Sequence, residues 1–199
     1  MKKTFFVLLM VLVLAGSVFA DSFVTTLDVG HSFAMGKKVQ GYEGGLSLES
    51  KTIAYMDGGF GIGSVLSAQA PLYQLYDGKV QETRNPITMG FGLFAAYKLD
   101  LTSNLSLSAN AGAELSYTRH KISLIEQQVF YVSGIADLSL MYSFGEMSGF
   151  RFGVKGMIPF WGWGMTTMSM FGINGSGETK FGFGDYYTIT PYVGYSFMY

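Results

Sequence analysis

The chain contains no cysteine. That excludes a disulfide framework, a thiolate metal site and a lipoprotein-type lipid anchor. His31 and His120 are its only histidines, which leaves little from which to build a zinc site. Charged residues make up 14% of the chain, well below the ~25% of soluble domains. No Pro/Ser linker, low-complexity tract or internal repeat divides it. Beyond the first residues, no stretch is long and apolar enough for a transmembrane helix.

The amino-terminal end has its own logic. Met1-Lys2-Lys3 is a short basic start, Thr4 to Leu14 is apolar, and Ser17-Val18-Phe19-Ala20 supplies small residues around a cut after Ala20. This is the pattern of a secretory signal peptide over residues 1–20, which leaves one domain over 21–199. The apolar run is too short for a membrane anchor. Loss of Lys2 and Lys3 leaves eleven basic against fourteen acidic side chains, a formal charge of about −3. Nucleic acid is therefore excluded as a partner, and no cofactor is expected.

What the chain does have is alternation with a period of two, glycine and aromatics. Eight segments read as strands: Phe23–Met35, Gly41–Glu49, one near Tyr55–Leu66, Ile87–Leu99, Leu105–Thr118, Gln128–Phe144, Phe150–Trp163, and a last one that closes at Tyr199. In the fifth, Leu105, Leu107, Ala109, Ala111, Ala113, Leu115 and Tyr117 oppose Ser106, Ser108, Asn110, Gly112, Glu114, Ser116 and Thr118. Short turns are expected at Asp100–Asn104, at Gly145–Gly149 and near Ser50. Longer connections are expected at Ser67–Pro86, Arg119–Gln127 and Gly164–Asp185, although Gly36–Gln40 on that rim is short.

The apolar set must face either lipid or an interior. A soluble barrel turns its apolar face inward and its charges outward. Here the second face is mostly Gly, Ser, Thr and Asn with single charges, which is too polar for a soluble core and too lightly charged for a solvated exterior. Aromatics collect near both strand ends: Phe23, Tyr97, Tyr142, Phe150, Phe197 and Tyr199 at one rim, and Phe33, Tyr42, Tyr117, Phe130 and Phe160 at the other. Two aromatic rings are what a bilayer selects. The expected fold is all-β: an eight-stranded antiparallel transmembrane up-and-down barrel.

With these features the chain resembles the small outer-membrane barrels of the OmpA, OmpX and OmpW type. The resemblance rests on the signal pattern, the strand pattern, the loop asymmetry and the terminal strand, with no enzyme-like motif. It implies residence in the outer membrane of a diderm bacterium, contact with outer-membrane lipid and insertion by the barrel-assembly machinery. It also implies an assembly signal at Val193, Tyr195, Phe197 and Tyr199. Tyr199 stands where the group usually has Phe, and Pro191 suggests a bulge or strand end. Nothing after Tyr199 corresponds to a peptidoglycan-binding domain.

The inward charges are expected to form a lumen ion-pair network from Asp28, Glu49, Asp57, Lys98, Glu114, Asp137, Arg151 and Lys155, with Glu43 also on the inward set. An eight-stranded lumen is just wide enough to be filled by side chains, so these charges read as a plug, with a polar conduit as the alternative. Asp137 and Lys155 are expected to pair across their shared turn. Trp161, Trp163, Met168, Met170 and Phe171 read either as an interfacial anchor or as a contact surface for a hydrophobic ligand or partner. His31, His120, Asp77 and Asp185 would lie near the long-loop rim, and read as loop residues rather than as a catalytic set. The function read from this is structural and surface-interacting, with host or surface ligands contacted through the loops. A narrow path for small hydrophobic solutes is the alternative that the OmpW resemblance implies. An outer-membrane enzyme is the remote one.

Overall fold

In the computed structural model, strand follows strand with almost nothing else between them. It describes residues 20–35, 44–76, 79–81, 84–122, 125–145, 147–170, 173–183 and 187–199. The signal pattern (except Ala20), Tyr42, Glu43, Asp77, Phe171 and Asp185 lie outside them. The strands are β1 (Ser22–Met35), β2 (Gly44–Tyr55), β3 (Phe60–Tyr76), β4 (Lys79–Gln81), β5 (Arg84–Asp100), β6 (Leu105–Ile122), β7 (Ile125–Ser143), β8 (Ser148–Met170), β9 (Ile173–Gly182) and β10 (Tyr187–Met198). No helix among the described residues could cross a membrane.

Eight of these strands close a barrel. Each of β1, β2, β3, β5, β6, β7 and β8 pairs antiparallel with the next, β8 pairs with β10, and β10 returns to β1. The seam continues to the terminus, where Tyr199 N donates to Phe23 O at 2.9 Å. One hydrogen-bonded row can be followed right round: Val24, Ile53, Gly63, Phe94, Gly112, Ile135, Met157, Thr188, then Ala34. The row returns to β1 ten residues further along, which is the shear of the barrel. Strands closed with such a stagger tilt by about 35–45°.

Alternation sorts the two faces. In β10, Thr188, Thr190, Tyr192 and Ser196 are buried, and Ile189, Pro191, Val193 and Phe197 are exposed. The outer face carries a continuous apolar surface, including Leu27, Leu48, Leu66, Phe91, Leu115, Leu138, Phe152, Val154 and Val193. Two aromatic girdles bound it. Along β10, Tyr187 and Phe197 mark them, ten residues apart, which with strand rise and tilt is roughly 25 Å of height. Inside, bulky side chains are accommodated by glycines on the adjacent strands. Phe94 lies between Gly63 and Gly112, and a Cβ on Gly63 would sit 2.5 Å from its ring.

Four expectations about the chain path are corrected. There is no turn near Ser50, because β2 runs on to Tyr55. The turn falls at Met56–Phe60, where Gly58 and Gly59 each take φ of 82°, open to glycine without strain. The third strand therefore starts at Phe60 rather than near Tyr55. The long connections are largely strand as well, with β3–β4, β6–β7 and β8–β9 forming hairpins at that rim. Pro191 makes neither a bulge nor an end. It lies within β10, and the β1 register is the same on both sides of it, because its missing N–H costs only local ladder bonds. A bulge does fall in β8, where Val132 pairs with Trp161 and Ser133 with Pro159. Phe160 and Trp161 are consequently both exposed, and the inward parity switches.

Candidate functional site

The lumen holds the polar chemistry of the fold, and the strand pattern explains why. Residues of one parity on each strand must point inward, so isolated charges on different strands converge on one axis. Arg151 of β8 is 2% exposed. Its Nη1 lies 3.2 Å from Asp28 Oδ2 on β1, and its Nη2 lies 3.3 Å from Asp137 Oδ1 on β7. Its Nε donates to Ser139 Oγ at 2.8 Å. Lys51 of β2 meets Asp28 Oδ2 at 2.9 Å and Glu49 Oε2 at 3.2 Å, and donates to Asp137. Lys155 of β8 donates to Glu49 Oε1 at 2.8 Å and to Glu114 Oε2 at 2.6 Å.

Neutral groups complete the cluster. Glu114 Oε1 accepts from Ser67 Oγ at 2.8 Å and from Ser116 Oγ at 3.1 Å. Tyr192 OH donates to Asp137 Oδ1 at 2.6 Å, and its ring lies 4.3 Å from Lys51 Nζ. Asp28 turns its other oxygen onto Gly194, where a Cβ would stand only 2.0 Å from Oδ1. Three cations thus meet four carboxylates, all with side chains 7% exposed or less. Burying an unpaired charge costs several kcal/mol, which only multiple well-placed partners offset. Each cation here has at least two. The cluster ties β1, β2, β6, β7 and β8 together across the lumen.

Six of the charges expected in the network come together: Asp28, Glu49, Glu114, Asp137, Arg151 and Lys155. Two do not. Asp57 is exposed in the Met56–Phe60 turn, and Lys98 pairs with Asp100 at 3.2 Å, where Asp100 is 67% exposed. The expected Asp137–Lys155 pair is also corrected. The two are direct register partners, but Asp137 is taken by Lys51 and Arg151 while Lys155 reaches across to β2 and β6. Lys51 was missed. It shares the parity of Glu49, and the Asp57-Gly58-Gly59 turn signal would have carried β2 far enough to include it.

Below the cluster, Tyr55, Ala96 and Met141 narrow the lumen with apolar bulk. Beyond them, at the short-turn mouth, a cavity of about 640 Å³ is lined by Lys98, Asp100, Asn104, Ser106, Ser143 and Met198. Among the described residues, no three His, Asp or Glu are grouped to hold a metal ion. His31 lies within β1, its ring 4.6 Å from Phe33, and His120 lies within β6.

Val193, Phe197 and Tyr199 are exposed on the outer face of the terminal segment, and Tyr195 packs there against Phe197 at 4.9 Å and Phe150 at 5.9 Å. Trp161 is exposed and Trp163 half-buried on β8. The backbone of Met168 and Met170 continues that strand.

No protein-family model matches the chain, and no curated protein matches it in sequence. Solved structures do match in fold. Neisserial surface protein A aligns with a TM-score of 0.61 at 11% identity, covering 88% of this chain and 96% of that one. A major outer membrane protein from Thermus thermophilus aligns with a TM-score of 0.56 at 9% identity, over 89% and 99%. Ail, the attachment invasion locus protein of Yersinia pestis, aligns with a TM-score of 0.53 at 9% identity, over 89% and 98%. The chain has the fold of the small eight-stranded outer-membrane β-barrels.

Proposed function

We propose that the protein is an integral outer-membrane barrel with a sealed lumen, whose role is structural and surface-interacting. The seven-charge cluster carries this reading. It fills the lumen with bonded side chains from opposite walls, and it leaves no continuous stripe of one sign for an ion to follow. The apolar belt supplies the lipid-facing surface, and the hairpins at the long rim supply material for contacts outside the cell. The terminal set Val193, Tyr195, Phe197 and Tyr199 would serve recognition by the barrel-assembly machinery.

Orientation and residence are tested together. An epitope inserted at Gly177 in β9 should be reached by antibody on intact cells. One at Ser103 in a short turn should be reached only after the outer membrane is permeabilised. Labelling of the Ser103 epitope on intact cells would reverse the orientation. Loss of both signals from the outer-membrane fraction would remove the reading.

A further inference from the structure

The outer wall is not the same all round. Between the two girdles, the described outward residues of β5, β6, β7, β8 and β10 are apolar, aromatic, Gly or Pro. On β1, β2 and β3 they include Thr25, Ser50, Thr52 and Ser64, with His31 higher on β1, its ring against Phe33. Thr25, Thr52 and Ser64 stand in one row, and the next row reads Leu27, Ser50, Leu66. The hydroxyls of Thr25 and Thr52 are 3.4 Å apart. Those of Ser50 and Ser64 have no hydrogen-bond partner among the described residues. Phe60, its ring 4.8 Å from that of Tyr97, belongs to the girdle near the short turns. Ser64 stands further up the same strand, roughly 10 Å into the belt by strand rise and tilt.

From this we infer that the β1–β3 wall is a docking surface for a second copy of this chain in the same membrane. With the barrel in a membrane, as proposed above, these four hydroxyls face hydrocarbon rather than water. A hydroxyl removed from water costs free energy unless it finds a bond, and lipid tails offer none. Each hydroxyl both donates and accepts, so a patch of hydroxyls is complementary to itself. A two-fold contact requires that property, because the same patch meets itself on the two partners. The shape of the patch agrees. With the two-fold axis along the membrane normal, two facing walls cross their strands at twice the tilt, roughly 70–90°. They therefore touch over a compact area rather than along a strand. Thr25, Thr52 and Ser64 span three adjacent strands, about 10 Å, and Ser50 adds the depth of one further row. Small side chains also let two backbones approach closely, as Ser and Thr do at helix contacts in membranes.

The chain has no cysteine, so a single introduced thiol reports on one position. Thr52→Cys, Ser50→Cys and Ala136→Cys are each folded into phosphatidylcholine vesicles at a large lipid excess. Insertion is read by heat-modifiable gel mobility, and disulfides are driven with copper phenanthroline. A cross-linked dimer is expected from Thr52→Cys, Ser50→Cys or both. Little is expected from Ala136→Cys, which is exposed on β7 on the far side of the barrel. Equal cross-linking at all three positions would mean random collision and overturn the proposal, and so would monomer at both Thr52→Cys and Ser50→Cys. Sedimentation in a neutral detergent then measures the dimer without a cross-link. Ser50→Ala, Thr52→Val and Ser64→Ala together should weaken it about threefold for each hydrogen bond lost, roughly thirtyfold for three. These changes leave the wall apolar, so the triple variant should still insert. An unchanged dissociation constant in that variant would overturn the docking surface, as would a wild type that is monomeric at every concentration. Failure of the wild type to insert into vesicles at all would overturn the membrane reading itself, and the docking surface with it.

Discussion

Arg151 and Phe152 are neighbours on β8, yet Arg151 is 2% exposed and Phe152 55%. Lys155, also on β8, is 5% exposed beside Val154 at 48%. In a water-soluble strand these assignments would be reversed. The wall meets two media, and a step of one residue crosses from one to the other. On the inner side, stability comes from satisfying charges that have left bulk water. On the outer side, it comes from having no charge to satisfy. The same substitution should therefore have opposite consequences on the two faces.

The largest effect is expected where the inner face loses a charge with many partners. Arg151→Met leaves Asp28 and Asp137 each with one cation fewer and removes the bond to Ser139. It should cost about 3–5 kcal/mol, as breaking a buried pair does. Adding Asp28→Asn should recover part of that. Urea unfolding in lipid vesicles measures both. A single variant as stable as the wild type would mean that water already solvates the cluster.

The converse change adds a charge to the outer face. Leu138→Arg, outward and near mid-height on β7, should cost about 2–4 kcal/mol in the same assay. The same charge at Tyr199, at the rim, should cost about 0–1 kcal/mol. Equal costs at the two positions would show that the outer face does not sample membrane depth. Inside, packing rather than charge is tested by Gly63→Ala. The new Cβ would press on the Phe94 ring, and overpacking of this kind typically costs about 1–3 kcal/mol. Phe94→Leu should relieve the contact with the ring but not the one with the Thr52 carbonyl oxygen, 2.9 Å from the same Cβ. Smallest of all is Lys98→Met. Its partner Asp100 is two-thirds exposed, so solvent screens the pair and the loss should stay below about 1 kcal/mol. A cost matching that of Arg151→Met would place Lys98 in the sealed cluster after all.

These contrasts also explain what could be read from the chain before its structure. The strands that alternate along their whole length were legible, as in Leu105 to Thr118 and the terminal segment, where one face meets the belt. The lower half of β2 was not. There the outward set is Ser50, Thr52 and Ala54, and the inward set includes Ile53 and Tyr55, which join the apolar cluster that narrows the lumen. The usual sign of the pattern is inverted, so alternation alone ends the strand at Glu49 and leaves Lys51 out of the inward set. The bulge at Phe160–Trp161 is hidden for another reason: both residues are apolar, so a skipped parity leaves no trace. The identities of six network residues could be read from parity alone. Their pairing could not, because Lys155 reaches from β8 to β2 and β6, and proximity across a lumen is not encoded in the spacing of adjacent strands.

Whether bonded charge seals the lumen is tested most directly by planar-bilayer recording of the folded protein. The wild type should insert and pass no discrete current steps at neutral pH. Arg151→Met, which opens the middle of the cluster, should introduce them. Steady unitary conductance from the wild type, unchanged by Arg151→Met, would contradict the account and make the barrel a channel.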